Sequence, residues 1–426
     1  MQHVIVGAGP AGVVAAERLR KLDPQADIKL LTREPAPPYS RMAIPYYLVE
    51  QIPESGTWLR KQQDHFDRLG IEIVEGAVNR LDTAGHEAHL SDGRTLTYDR
   101  LLLATGSSPV IPPLPGMDRE GVHTCWTLAD ARAILQRARR DARVVLIGAG
   151  FIGSIILEAL VTRGTRLTVV EQGDRMVPRM MDADAGDLIR RWCESRGVAV
   201  RTSETVTGVA EGPPGGHPLA VELGNGDALP ADLVIVSAGV RSNTDYLGGS
   251  GIEVDQGIRV DNRLQTTLPD VFAAGDVAQG PDFSTGGWSV HAVQPTSVDH
   301  GQVAASNMAG RTRHYHGSLL MNVLDTLGLI STSFGQWQGV EGGDSTALLD
   351  RERFRYLRLQ FQDDTIVGAN SLGLTEHVGV LRGLIEGQVR LGKWKERLEA
   401  DPTRLMEAYL GCTQAIGRPS PKEAPA

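Results

Sequence analysis

Apolar residues in this chain come in short dense runs that stop at glycines. The first, His3-Val4-Ile5-Val6, leads into Gly7-Ala8-Gly9-Pro10-Ala11-Gly12. A run this short without polar alternation is the pattern of a strand buried on both faces, and the glycines mark its end. A helix through Leu22 and a second strand at 28–31 are predicted to follow. The pattern then recurs. Arg143-Val144-Val145-Leu146-Ile147 leads into Gly148-Ala149-Gly150-Phe151-Ile152-Gly153, with a helix to about Arg163 and a strand at 167–170. This duplication is the most informative internal repeat, because each copy opens a β-α-β unit.

Other elements fill in the organisation. Leu101-Leu102-Leu103 is a buried strand ending in the small-residue turn Ala104-Thr105-Gly106, mirrored later by Ser237-Ala238-Gly239. The stretch 267–277 is another strand, ending in Gly275-Asp276, and Gln294-Pro295-Thr296-Ser297 opens a helix to Met308. Prolines 109, 112, 113 and 115 break regular structure over 107–116, a candidate crossover. Strand-like stretches at 206–210 and 219–223 flank a loose hairpin tip at 212–218. From about Arg313 the pattern changes to short strands (354–361, 365–372) followed by helices (377–391, 402–409), an α+β arrangement. Residues 414–426, rich in proline and charge, are expected to form a flexible tail.

Composition narrows the class. At 426 residues the chain suits two or three domains, and 49 glycines with only 5% aromatics fit an α/β enzyme whose backbone turns tightly around ligands. A net charge of −9 would repel a phosphate backbone, which argues against nucleic acid. The chain starts directly on a strand-like run, so the expectation is a cytoplasmic protein without a leader. Its most apolar stretch, 144–157, is shorter than the roughly 20 residues of a membrane span. Cys125, Cys193 and Cys412 lie far apart with no CxxC spacing, so neither a metal cage nor a redox disulfide is suggested, and the thiols are read as structural. His291, His300, His314 and His316 are not spaced like a metal site, and no metal is expected.

In a glycine-rich strand-to-helix turn the first glycine permits the bend and the second lets a pyrophosphate approach the backbone. The third lets helix and strand pack closely. Gly7, Gly9 and Gly12, with Pro10 and Ala11 opening the helix, fill this pattern once. Gly148, Gly150 and Gly153, with Phe151 and Ile152, fill it again. Exposed amides and the positive end of the helix then hold the anion. An acid normally ends the second strand to hold a ribose hydroxyl. In the second unit Glu171 stands 18 residues past Gly153, as required, and its carboxylate would repel a 2′-phosphate, favouring NADH over NADPH; Arg175 close by blurs that preference. In the first unit the expected place is Thr32, and Glu34 becomes the candidate.

In this order, the two glycine turns, Ala104-Thr105-Gly106 and Gly275-Asp276 resemble the two-dinucleotide-domain flavoproteins of the pyridine nucleotide-disulfide oxidoreductase family, including the ferredoxin and rubredoxin reductase, NADH oxidase and nitrite reductase branch. The resemblance covers essentially the whole chain. It implies an α/β fold of two Rossmann-like domains, for FAD and NAD, plus a C-terminal α+β interface domain. The FAD-binding domain would be discontinuous, residues 1–110 and 241–312, with 111–240 binding NAD and 313–413 forming the interface domain. It also implies that Asp276 binds the ribityl chain of FAD, that Val78 contacts the adenine through its backbone, and that Arg41 lies near the flavin or pyrophosphate. The helix start at Pro295-Thr296 would aim its dipole at the flavin. By the mirrored turn, Gly239 would join the NAD site.

Two departures matter. Thiol-dependent members carry a cysteine after the second strand, where this chain reads Tyr39-Ser40-Arg41-Met42-Ala43-Ile44-Pro45-Tyr46-Tyr47, so thiolate chemistry at that place is ruled out. Ferredoxin-reductase relatives often pair a lysine with a glutamate beside the flavin, where this chain has Tyr46 and Ile155; Glu158, a turn further along, is read as a helix-face carboxylate. No protein acid or base is therefore named for the chemistry, which the flavin and nicotinamide would carry. The implied function is an NADH:acceptor oxidoreductase passing electrons from FAD to an iron-sulfur protein or partner subunit. It would assemble as a homodimer or hetero-oligomer through its C-terminal domain. The ending from Arg390 to Tyr409 is similar to that of flavin subunits of 2-oxoacid:acceptor oxidoreductases such as phenylglyoxylate dehydrogenase. Alternatives are an NADH oxidase that reduces oxygen directly, and an FAD-stabilised assembly or redox-sensing module without catalysis.

Overall fold

A computed structural model describes residues 1–416. By contacts the chain divides into two compact units. One comprises Met1–Ile111, Thr124–Gln136 and Ala238–Ser318; the other comprises Pro112–His123, Arg137–Ser237 and the chain from Leu319 onward.

The first unit is built on a five-stranded parallel sheet in the order Val271–Ala273, Arg100–Leu103, Gln2–Val6, Asp27–Thr32, Ile71–Glu75. Its central strands are buried on both faces, as the unalternating runs require. The register sets Val6 level with Leu31 and Leu103, and Leu103 level with Ala273. Gly7, Ala104 and Ala274 therefore leave the sheet along one edge, beside the strand end at Thr32. The chain runs from the middle strand to one side and later returns on the other, which makes that edge a topological switch point, the usual ligand crevice of such sheets. Helix Pro10–Leu22 packs on the sheet and against helix Gln294–Met308. The two helices meet so closely that a Cβ on Gly301 would lie 2.4 Å from the carbonyl oxygen of Ala11.

The second unit repeats the plan with Ala199–Arg201, Arg166–Val170, Arg143–Ile147, Leu233–Val236 and Val122–His123. Ile147 is level with Val170 and Val236, so Gly148, Glu171 and Ser237 share an edge. By contacts this unit also includes a five-stranded antiparallel sheet, in the order Met321–Thr326, Leu329–Gly335, Thr365–Leu372, Arg355–Gln362, Asp344–Asp350. Phe334, Phe361, Leu381, Leu384, Leu398 and Leu405 form the core between that sheet and the late helices.

Several boundaries differ from expectation. Ser107–Pro109, read as broken by prolines, pairs antiparallel with Val240–Ser242, because the residue before a proline favours extended backbone. The helix predicted over 377–391 ends at Glu386, where Gly387 and a left-handed Gln388 (φ 45°) turn the chain so that Leu391 can pack back on the core. The last helix begins at Leu405 rather than 402, since Asp401 caps a turn by accepting from the Thr403 amide at 3.0 Å, and it runs on to Ile416. The first three residues of the predicted tail are thus helical, and the rest lies outside the described residues. Trp288 is exposed and Trp337 buried. No described helix is long and apolar enough to cross a membrane.

Candidate functional site

In the first glycine turn the three glycines are required for different reasons. Gly7 has φ 117° and its amide donates to Leu31 O at 3.0 Å; a Cβ there would sit 2.1 Å from Ala104 O. A Cβ on Gly12 would lie 1.9 Å from Gly7 O. Both positions are closed by backbone. Gly9 is unlike them, with φ −76° and ψ −174°, a conformation open to any residue, and a Cβ there would meet nothing within 4 Å. Packing does not explain a glycine at 9, and the open space leaves room for a ligand against the backbone. No side chain caps the helix that starts here and no acid stands in its first turn, so its first amides are left without a side-chain partner, as an anion site requires.

Along the same edge lies Asp276, partly buried. Burial pushes its carboxyl above the ordinary carboxylate range, while hydrogen bonds from Ser107 Oγ (3.0 Å) and Ser297 Oγ (3.3 Å) and the nearby Arg41 charge pull it back. A polyol hydroxyl would add the donors this carboxylate lacks. Arg41 links Asp276 to the rest of the site: it donates to Ser107 O and to Glu34 Oε1, each at 3.3 Å, and lies over the Trp126 ring at 4.8 Å. Trp126 Nε1 donates to the same Ser107 carbonyl at 3.0 Å, and Tyr39 OH donates to Glu34 Oε2 at 2.5 Å. Glu34 is thus engaged by Arg41 and Tyr39. Thr105 and Asn243 exchange hydrogen bonds that fix the Ala104-Thr105-Gly106 turn.

The remaining candidates on this side are placed differently. Val78, on strand Val78–Asp82, packs on the hydrophobic core and stands outside the polar network. Pro295 is exposed at the uncapped start of its helix. Thr296 is buried, with its hydroxyl shared with Ser318 Oγ at 3.0 Å.

The second turn reproduces the first. Gly148 has φ 99°, a Cβ on Gly153 would lie 2.3 Å from Gly148 O, and a Cβ on Gly150 would again meet nothing within 4 Å. Phe151 and Ile152 open helix Phe151–Thr162, half-buried and without a side-chain cap or an early acid. Glu171 accepts from the Ala149 amide through Oε2 and from the Gly173 amide through Oε1, each at 2.7 Å, so its carboxylate is already locked beside the turn. Arg175, the cation expected to blur its selectivity, is tied to Met181 O at 3.0 Å and Asp174 at 2.7 Å. Gly239 belongs by contacts to the first unit, where its carbonyl accepts from the Val110 amide at 2.8 Å; the structure does not group it with Gly148 and Glu171. Glu158 is half-buried, its carboxyl pushed up by burial and then by the charge of Asp325.

All three cysteines are free and buried, and burial pushes the thiols of Cys125 and Cys193 up to about 12. No thiolate is offered to the site. Sequence reading passed over Ser107, Ser297, Tyr39 and Trp126, which organise Asp276, Arg41 and Glu34. The one available signal was position: Ser107 directly follows the strand-end glycine, and Ser297 follows Thr296 in the first turn of a helix.

A model of the pyridine nucleotide-disulphide oxidoreductase family matches residues 1–304. The chain belongs to this family. It is 33% identical over 405 residues to the NADH-dependent phenylglyoxylate dehydrogenase subunit epsilon of Aromatoleum evansii, covering 94% of this chain and 95% of the relative. To the probable ferredoxin reductase CtmF of Castellaniella defragrans it is 34% identical over 316 residues, 73% of this chain and 76% of that one. The reductase fold in the covalent putidaredoxin reductase–putidaredoxin complex matches with a TM-score of 0.87 at 23% identity, covering 97% of this chain and 99% of that chain. As a pyridine nucleotide-disulphide oxidoreductase family member, the protein is an NAD(P)H-dependent flavin oxidoreductase whose cofactors are FAD and NADH.

Proposed function

We propose that this protein is an NADH:acceptor oxidoreductase that delivers electrons one at a time to an iron-sulfur protein or partner subunit, and that it works in the cytoplasm as part of a homodimer or larger complex. The observation that carries this reading is the pairing of two turns with open middle glycines, Gly9 and Gly150, with a segment at 39–47 that holds no thiol. Electrons then have no protein disulfide to enter and must leave the chain. The free, buried cysteines suit a reducing compartment.

The residues have separable tasks. The amides beyond Gly9 hold the FAD pyrophosphate, Asp276 takes polyol hydroxyls, and Ser107 and Ser297 keep its carboxylate aimed. Arg41, braced by Trp126 and Glu34, places a fixed positive charge beside that carboxylate. Glu171 holds the NADH ribose and, by charge, turns away a 2′-phosphate. Bound FAD supplies the capacity to take two electrons from NADH as a hydride and give them up singly. Alignment by these contacts replaces any protein acid or base at the transfer step.

The test uses purified FAD-loaded protein under anaerobic conditions. NADH bleaches the flavin absorbance within the turnover time, and ferricyanide is reduced in steady state at two equivalents per NADH. A fully loaded protein that NADH bleaches only over many minutes, or that reduces no one-electron acceptor, would remove this reading. Oxygen uptake in air as fast as dye reduction would replace it with a direct oxidase.

A further inference from the structure

Between Glu171 and helix Ala183–Ser195 the second unit makes a turn that its own sequence resists. Val177 has φ 51°, in the left-handed region, although it is β-branched and precedes Pro178, and each of those features favours extended backbone. A strained residue persists only where its surroundings hold it, and Val177 is held on two sides. On one side its amide donates to Ala149 O at 2.9 Å, inside the second glycine turn, and the Ala149 amide in turn donates to Glu171. Pro178 closes over the same place, its Cγ 3.4 Å from where a Cβ on Gly173 would lie. On the other side the Val177 carbonyl accepts from the amides of Met180 and Met181, each at 2.9 Å. Met180 is tied to the late antiparallel sheet of the same unit, where Asn370 Nδ2 donates to Met180 O at 2.9 Å. Asp182 adds a second tie: it caps helix Ala183–Ser195 by accepting from the Ala185 amide at 3.1 Å, and it accepts from Tyr356 OH and from Arg358 at 3.4 Å.

Asn370 is an expensive residue for its place. It is fully buried between Ser333 and Arg358 of the neighbouring strands, and among the described residues its Oδ1 has no hydrogen-bond partner. An aliphatic side chain of the same size would avoid that cost. What the amide does make is the bond to Met180 O, backed by a contact of Nδ2 with Met181 Sδ at 3.7 Å. We propose that Asn370 is a positioning residue for the nicotinamide nucleotide. Through Met180 it holds Val177 left-handed; Val177 fixes Ala149, and Ala149 fixes the Glu171 carboxylate and the glycine turn in the arrangement that takes the ribose and pyrophosphate of NADH. The turn is then ordered before NADH arrives, and binding does not have to supply that ordering. This rests on the proposed reading that Glu171 and the second glycine turn hold NADH.

The test is made on the full-length, FAD-loaded, oxidised protein, with ADP-ribose as the probe, since it carries the pyrophosphate and ribose but cannot react. By calorimetry Asn370→Ala binds ADP-ribose about tenfold more weakly than wild type. In the stopped flow its half-saturating NADH concentration for flavin bleaching rises by the same factor, while the limiting rate stays within about twofold. Asn370→Leu keeps the volume and removes the donor; it gives the same loss and decides the matter if Asn370→Ala does not fold. Val177→Gly takes the left-handed backbone without strain and binds within about twofold of wild type. In the double variant Val177→Gly/Asn370→Ala the loss shrinks to about twofold, because no strain is left for Asn370 to hold, whereas a side chain that merely packs would still cost about tenfold there. Wild-type protein that takes no ADP-ribose would remove the nucleotide site itself and this inference with it. Tight wild-type binding left unchanged in Asn370→Ala or Asn370→Leu, or additive losses in the double variant, overturns the positioning role alone.

Discussion

At the scale of single residues, the three glycines of a turn can be separated by experiment. A methyl group at Gly12 would collide with Gly7 O, while one at Gly9 meets only open space. Gly12→Ala is therefore expected to lose folded protein, whereas Gly9→Ala keeps the thermal midpoint of the apoprotein and loses flavin affinity by at least tenfold, about 1.4 kcal/mol. Differential scanning and FAD titration on the two variants would show it. Glu171 invites a second substitution. Glu171→Gln removes the charge and weakens the lock on Ala149 and Gly173, so kcat/KM for NADH should fall roughly tenfold while the NADPH to NADH ratio rises. An unchanged ratio would show that the carboxylate does not discriminate. The glycine turns and the place of Glu171 beside the second were legible because spacing along the chain sets them. Ser107, which meets Asp276 across 169 residues of sequence, was not, since no local pattern encodes such a separation; Tyr39, five residues from Glu34, was not either, since nothing in that irregular segment marks its hydroxyl as a partner.

Elements were legible where burial dictates composition. The parallel strands announce themselves as unbroken apolar runs, and a helix starting beside each glycine turn follows from the turn itself. Late boundaries were harder, because a helix end depends on tertiary partners: Leu391 looks periodic with the helix before it, yet packs on the core only after Gly387 and Gln388 reverse the chain. The contact of helices Pro10–Leu22 and Gln294–Met308 leads to a prediction at this scale. Since a Cβ on Gly301 would reach within 2.4 Å of Ala11 O, Gly301→Ala must push the helices apart. We expect a loss of about 1–3 kcal/mol in stability, read by urea unfolding, together with weaker flavin retention, since Ala11 and Ser297 on these helices both border Gly275.

For the molecule as a whole, buried histidines set a response to acid. His3, fully buried with neither ring nitrogen hydrogen-bonded among the described residues, is pushed down to about 4 by burial, and His300 to about 3. The unfolded chain begins to bind protons at these positions near pH 6.5 while the folded chain does not. Their stabilising effect is whole above that pH and is lost progressively as pH falls toward 4 and 3. Each contributes a slope of up to about 1.4 kcal/mol per pH unit, so the urea midpoint should fall between pH 7 and pH 5, and less so in His300→Gln. A flat profile would mean that these rings are not held neutral. The α/β class and the duplicated plan were readable in the chain, because a repeated turn is a local signature. Assignment of the late antiparallel sheet to a compact unit was not readable, because that depends on which faces meet.

The sheet of the first unit takes its outer strand, Val271–Ala273, from far beyond the second glycine turn. During synthesis the opening segment leaves the ribosome with Leu101-Leu102-Leu103 as an unpaired edge and without Asp276. It must wait in that state while more than a hundred further residues are made, so a yellow protein can form only late in translation, and chains interrupted before that point would be colourless.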